Sequence, residues 1–183
     1  MQREEGQVVV DAPAMKRPAR LFQLPNSESP PNQVRLKPYF GRHQIILVFF
    51  DDRLGADRDP ALLWIARHAK QIANADIKVF GISGALPPQN RAAVKRLEKQ
   101  GLAVPFVLLT DPPPTEGAAE MGYLVHKQWG RYDKQTGRSL QGIFLIDRAG
   151  QVQWNETGPT PTSLHDIRDH IQVKGLSGRL VAM

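Results

Sequence analysis

The side chains that could do chemistry in this sequence are carboxylates, histidines, hydroxyls and cations, because its 183 residues include no cysteine. Without a thiol the chain forms no disulfide, offers no thiolate nucleophile and supplies no cysteine ligand to zinc or to an iron–sulfur cluster. The sequence therefore excludes every activity that requires a cysteine of the chain itself.

Three carboxylates lie close together after the most apolar segment of the chain. Asp51, Asp52 and Asp57 share one predicted loop, and such a group is what a divalent cation or general acid–base catalysis would need. The same loop carries Arg53 and Arg58. Pairing between these neighbouring charges is therefore the interpretation that we favour.

Two other patterns have weaker chemical interpretations. His165 and Asp169 lie on one predicted helix and could share a metal ion with a third ligand, but solvated residues on an amphipathic helix give the same pattern. Ser83 lies between Gly81 and Gly84 after a predicted strand, without the glycine–serine spacing of a nucleophile elbow. We predict no metal ion and no cofactor.

Basic residues give the chain a formal net charge of +6. A solvated surface explains this charge, and an acidic protein or an anionic membrane surface is the sharper alternative. No specific nucleic-acid motif is present. The candidate partner-binding residues are Arg91, Lys95, Lys99, Lys127, Trp129 and Arg131.

Apolar, β-branched segments that alternate with helical patterns predict one α/β domain. Residues 45–50 are a predicted strand buried on both faces, and residues 77–82 and 105–109 are the next two predicted strands. Asp59 and Pro60 suit the N-cap and the first position of a helix after the first of these strands. Alternation of strands and helices requires crossovers and a largely parallel sheet, and an antiparallel hairpin is predicted at its end.

Shorter elements complete the predicted order. The helix that begins at Asp59-Pro60 carries Leu62, Ile65, Ala69 and Ile72 on its buried face. The other predicted elements are strands over 19–24, 34–37, 123–125, 140–146 and 152–154, and helices over 90–100, 116–121 and 162–171.

The predicted domain spans residues 18–172, between a flexible arm over 1–17 and a tail over 173–183. The tail mixes apolar and basic residues and either docks onto a partner or is frayed. No apolar run is long enough to span a membrane, and the N-terminus lacks the apolar stretch of a secretory signal. A cytoplasmic location is therefore expected.

Four segments together resemble the peroxiredoxin (AhpC/TSA, redoxin) branch of the thioredoxin fold. They are residues 45–50, 79–83, 105–111 and 142–150, and the resemblance covers about 19–172. It implies a mixed sheet of about five core strands flanked by helices, with an extra N-terminal strand or hairpin.

The resemblance also implies a degenerate site. The chemistry of the family depends on a Thr-x-x-Cys motif at the start of a helix, where N–H groups and an arginine favour the thiolate. Counting from the end of the first buried strand puts the threonine position at Gly55 and the cysteine position at Arg58, and a second arginine position at Gln141. A shift by one residue gives only an aspartate in place of Arg58.

We therefore expect a catalytically inactive peroxiredoxin-like protein that acts as a binding or accessory subunit of a larger, acidic assembly. Two alternatives remain open. One is an antioxidant or other oxidoreductase-related function that uses no cysteine. The other is a small-anion sensor, in which Arg58 and the free N–H groups of the helix bind the ligand. The simpler interpretation of Arg58 is a surface arginine that pairs with the neighbouring aspartates.

Overall fold

The computed structural model describes residues 17–156. The elements in chain order are β1 (Gln23–Pro25), β2 (Gln33–Arg35), a 3-10 helix (Lys37–Tyr39), β3 (Gln44–Phe49), α1 (Pro60–Arg67), α2 (Ala69–Asn74), β4 (Ile77–Ser83), α3 (Pro87–Lys99), β5 (Phe106–Thr110), a second 3-10 helix (Ala119–Met121), α4 (Leu124–Gln128), β6 (Tyr132–Asp133), β7 (Arg138–Ser139), β8 (Gly142–Ile146) and β9 (Val152–Glu156).

The central sheet has five strands in the order β5-β4-β3-β8-β9. Strands β3, β4 and β5 are parallel, and β8 and β9 join them through antiparallel pairing. Strands β1 and β2 form a separate antiparallel hairpin, and β6 and β7 form another. The mixed sheet and the N-terminal hairpin confirm the predicted fold class.

The apolar run of β3 has no polar alternation because both faces of this central strand are covered. Ile46 and Val48 belong to a buried cluster that contains the apolar residues of α1 and α3. Ile45 and Leu47 belong to a second cluster, which contains Trp129 and residues of the N-terminal hairpin. A strand buried on both faces requires side chains such as these at every position.

Helix α1 begins as its sequence predicts, but it is shorter. Asp59 is the N-cap, and its side chain accepts a hydrogen bond from the backbone N–H of Leu62, while Pro60 occupies the first turn. The predicted single helix divides at His68, which has φ −111° and ψ 27° and separates α1 from α2.

The predicted strand over 123–125 is wrong. Tyr123 has a left-handed φ of 52°, and α4 begins at the next residue. The carboxylate of Asp111 accepts a hydrogen bond from the backbone N–H of His126 at 2.7 Å. This bond satisfies a free N–H in the first turn of α4, and sequence periodicity cannot reveal a partner so distant in the chain.

Several boundaries also differ from the prediction. Within residues 19–24, only Gln23 and Leu24 belong to β1, Lys37 begins a 3-10 helix, and the helix predicted over 116–121 is one 3-10 turn. The predicted helix over 162–171, the tail, and the arm up to residue 16 lie outside the described residues.

Candidate functional site

The candidate site lies at the carboxyl edge of the parallel strands, where the loop after β3 leads into α1. Gly55 turns this loop with a left-handed φ of 82°, a conformation that glycine adopts without the steric cost of a Cβ. A Cβ at this position would also lie 3.0 Å from Oδ1 of Asp57. The loop ends at Asp59, which lies at the N-terminal end of α1.

Asp59 is an almost fully buried acid, with 4% of its surface exposed. Burial raises its pKa from the ordinary value of 3.8 to about 6, against the opposing effect of hydrogen bonds from the backbone of Leu62 and Ala61. The helix dipole favours a negative charge at this end of α1. The site therefore already contains an anion that belongs to the chain.

A cavity of about 20 Å³ adjoins Asp59. It is lined by Val48, Phe49, Asp59, Pro60, Ala61, Gln141, Gly142 and Ile143. This volume has room for about one water molecule. An organic substrate does not fit into the cavity without movement of the surrounding side chains.

The structure places one of the three predicted residues of the degenerate site at this cavity and the other two outside it. Gln141 lines the cavity together with Asp59, whereas Gly55 and Arg58 are not among the lining residues. Arg58 is exposed and immediately precedes the N-cap of α1. The cavity therefore associates Gln141 with Asp59 and not with Arg58.

The other carboxylates of the loop are engaged in ion pairs or hydrogen bonds. Oδ2 of Asp51 lies 2.6 Å from Nη2 of Arg53. Oδ2 of Asp57 lies 2.7 Å from Nε of Arg96 on α3. The hydrogen bond from each arginine holds the pKa of its aspartate below the ordinary value. The Asp51–Arg53 pair lies within the loop, as predicted, whereas Asp57 pairs with Arg96 of α3 in place of Arg58 of the loop.

No group of three or more histidine, aspartate and glutamate side chains is arranged to hold a metal ion between residues 17 and 156. His165 and Asp169 lie outside that range. No described helix is both long enough and apolar enough to cross a bilayer.

Sequence reasoning missed a buried ionisable pair near the same edge of the sheet. Asp111 follows β5 directly, and its Oδ2 lies 2.6 Å from Nδ1 of His126, with both side chains at most 1% exposed. The position of Asp111 at the end of a parallel strand was the available signal. His126 gave no such signal, because it directly follows residues 123–125, which were predicted as a strand.

The surroundings of His126 fix its hydrogen-bonding arrangement. Its Nδ1 faces the carboxylate, whereas the buried Nε2 has no hydrogen-bond partner in the described part of the chain. The rings of Phe49 and Tyr123 pack edge-on against the imidazole. A neutral imidazole that donates from Nδ1 fits this environment, because a second buried N–H would lack an acceptor.

Replacing Asp111 with alanine is expected to lower the free energy of unfolding by about 3 kcal/mol, because it leaves the backbone N–H and the Nδ1–H of His126 buried without their acceptor. Urea denaturation measures the change. The control is Asp76→Ala, which removes an exposed aspartate beside His43 and Arg148 and should cost under about 1 kcal/mol. Equal losses in the two variants would contradict a special role for the buried pair.

Two residues of the predicted partner-binding set are internal, and the prediction is corrected for them. Trp129 is fully buried and packs against Phe49 and Phe144. Arg131 is 8% exposed and donates a hydrogen bond to the carbonyl oxygen of Gln141 at 3.0 Å, and burial lowers its pKa. Both directly follow α4 and turn inward, so the packing interpretation of Trp129 is the correct one.

The remaining four basic residues divide into engaged and exposed groups. Arg91 donates hydrogen bonds to the carbonyl oxygens of Ser27 and Glu28. Lys127 donates to a backbone carbonyl and lies 4.8 Å from the centre of the Tyr132 ring. Lys95 and Lys99 are exposed on α3 and are the members of the set that a partner can reach directly.

The fold and the sequence are similar to those of peroxiredoxins. The mitochondrial 2-Cys peroxiredoxin of Plasmodium falciparum matches with a TM-score of 0.64 and 19% identity, over 88% of this chain and 98% of that one. The reduced 2-Cys peroxiredoxin of Plasmodium vivax matches with a TM-score of 0.68 and 16% identity, over 87% and 94% of the two chains.

Curated relatives give a consistent but distant match. Alkyl hydroperoxide reductase E of Mycobacterium tuberculosis and that of Mycobacterium bovis are 28% identical over 123 residues, which are 67% of this chain and 72% of the relatives. No family model matches the chain. The sheet and its helices have the thioredoxin-like fold of these peroxiredoxins. The chain is peroxiredoxin-like, and it lacks the peroxidatic cysteine.

Proposed function

We propose that this peroxiredoxin-like protein is catalytically inactive as a peroxidase and acts by binding, as an accessory subunit of a larger assembly. The observation that carries the proposal is Asp59, a carboxylate at the helix end where the family places a thiolate. A thiolate reduces a peroxide by attacking the O–O bond and becoming a sulfenic acid. A carboxylate has no corresponding two-electron oxidation.

The geometry supports a register one residue later than the count along the sequence. The family motif requires its cysteine at the start of a helix, and α1 starts with Asp59 as its N-cap. The threonine position then falls on Ala56, and the arginine position stays at Gln141. Asp59 and Gln141 line one cavity, as the two corresponding positions of a working site should.

The charge distribution supports an acidic protein as the partner. The net charge is +6, and α3 presents the exposed Lys95 and Lys99. Complementary charge accelerates association and excludes partners of like charge. A cytoplasmic location is part of this proposal.

A hydroperoxide-consumption assay on the pure protein, with thioredoxin or glutathione as the reductant, tests the proposed inactivity. We expect no turnover above the uncatalysed rate, because the chain has no thiol to oxidise. Turnover by the pure protein would reject the proposal and would favour the alternative of non-cysteine redox chemistry.

Affinity capture from the native source, followed by cross-linking and size analysis, tests the binding role. The expected result is a stable complex whose partner is acidic. Lys95→Glu with Lys99→Glu should weaken that complex. Recovery of the protein only as a free monomer would contradict the proposed role.

The anion-sensor hypothesis gains no support from the site. Arg58 is exposed, and the Asp59 carboxylate already accepts a hydrogen bond from the backbone N–H of Leu62. An external anion would therefore meet a like charge at the same helix end. Sulfate titration of the protein and of Arg58→Ala distinguishes a true site from weak screening.

A further inference from the structure

A groove of about 460 Å³ lies at the edge of the sheet opposite the candidate site. Its walls come from the junction of α1 with α2 and from the segment between α3 and β5. Both segments lead into the amino ends of parallel strands, so they meet at that edge. The lining residues are Ala66, Arg67, Ala69, Lys70, Gln71, Gly101, Leu102 and Ala103.

The groove combines an apolar floor with a cationic rim. Ala66, Ala69 and Ala103 have short side chains that leave space above the partly buried Leu102, which packs against the core. Its volume lies in the range of sites that accept several side chains or a small ligand. The 20 Å³ cavity beside Asp59 offers no comparable room.

Arg67 and Lys70 supply the charge of the rim, and both are exposed. Neither side chain forms an ion pair or a hydrogen bond with any residue from 17 to 156. Arg53 and Arg96, by contrast, are paired with aspartates. No aspartate or glutamate is among the groove-lining residues, so the rim presents two positive charges that no residue of the described part of the chain compensates, beside an apolar surface.

We propose that this groove binds an acidic peptide segment of the partner. An apolar side chain of that segment would contact Leu102, and flanking carboxylates would pair with Arg67 and Lys70. The inference rests on the proposed binding function and specifies the chemistry of its partner. A concave groove with alanine walls favours an inserted side chain over the flat surface of an anionic membrane.

A phage-displayed library of random short peptides, selected on the full chain, tests the proposal. The retained peptides should share aspartate or glutamate next to a large apolar residue. In fluorescence anisotropy with a labelled peptide from this set, Arg67→Glu with Lys70→Glu should weaken binding at least about tenfold. Ala103→Glu, which keeps both cations and adds a negative charge to the groove, should weaken binding as well.

The matched control is Lys134→Glu with Arg138→Glu, in the exposed β6–β7 hairpin. It changes the net charge by the same amount, and it should leave peptide binding unchanged. An equal loss in both double variants, retained peptides without acidic residues, or no enrichment would overturn the proposal. Binding of phosphatidylserine vesicles through Arg67 and Lys70 in place of peptides would overturn it too.

Failure of this inference is distinguishable from failure of the proposed function. If Arg67→Glu with Lys70→Glu still captures the native partner as well as the unmodified chain does, the groove is rejected and the binding function stands. If the unmodified chain captures nothing and consumes hydroperoxide, the function itself is rejected. Thermal unfolding of each variant verifies that the chain is folded.

Discussion

The Asp59→Asn variant is expected to be more stable than the unmodified protein at neutral pH, by up to about 3 kcal/mol in the free energy of unfolding. Burial raises the pKa of Asp59 from 3.8 to about 6, so the folded state disfavours the ionised carboxylate that predominates at neutral pH. Asparagine has no charge to bury and is itself a good N-cap residue. The variant therefore removes the free-energy cost of burying a charge and keeps the N-cap hydrogen bond of α1.

The raised pKa of Asp59 also fixes how the stability of the protein should change with pH. A group whose pKa is higher in the folded state stabilises the protein below its unfolded pKa, and this stabilisation is lost as the pH rises through the folded value. The contribution of Asp59 should therefore decline between about pH 4 and pH 6. Urea denaturation at a series of pH values should show this decline in the unmodified protein, and Asp59→Asn should lack it.

Asp57 provides a control of opposite sign two positions earlier in the chain. The hydrogen bond from Arg96 lowers the pKa of Asp57, so its ionised form stabilises the fold at neutral pH, and Asp57→Asn should be destabilised there. If Asp59→Asn were no more stable than the unmodified protein at neutral pH, the cost assigned to the buried carboxylate would be wrong.

A reactive thiol is the expected result of replacing Asp59 with cysteine and Gln141 with arginine together. The new sulfur would lie at the N-terminal end of α1, near an added cation, and both features favour the thiolate. They act against the burial that raises the pKa of the acid now at this position. On addition of hydrogen peroxide, which is close to water in size, the thiolate should attack the O–O bond, become a sulfenic acid and release hydroxide. Because this sulfur is the only thiol in the variant, trapping of the sulfenic acid reports on it alone.

Arg58→Cys with Gln141→Arg is the matched control, and it decides between the two registers. Arg58 is exposed and precedes the N-cap, so a cysteine there should titrate as an ordinary thiol. The thiolate fraction at neutral pH, followed by its ultraviolet absorbance, should be higher at position 59 than at position 58. A higher thiolate fraction at position 58 would favour the register counted from the sequence.

The framework was predictable because its determinants are local in the chain. Residues 45–50 are apolar at every position, which requires a strand covered on both faces. The pair Asp59-Pro60 marks the start of α1 without any tertiary information. Counting along the loop puts the cysteine position of the family motif at Arg58, whereas the N-cap of α1 at Asp59 favours the next residue. The register of the motif stays a prediction that the two cysteine variants test.

The missed features depend on contacts between distant segments. Helix α4 has five residues and is too short to show a helical period. A backbone N–H of its first turn, that of His126, donates to the side chain of Asp111 at the end of the preceding strand. Aromatic residues with basic neighbours suit a protein interface, and this pattern placed Trp129 and Arg131 in the predicted partner-binding set. Their burial arises because the chain turns towards the core after α4, and no local sequence pattern predicts this turn.

The ion pair between Asp57 and Arg96 has a further consequence for recognition. It joins the loop after β3 to α3, and the loop also holds internal backbone hydrogen bonds from Leu54 and Gly55 to the carbonyl oxygen of Asp51. Such a loop has little conformational freedom left to lose. A macromolecule that docks on this edge would meet a preorganised shape, and the association would be spared the entropic penalty of ordering it.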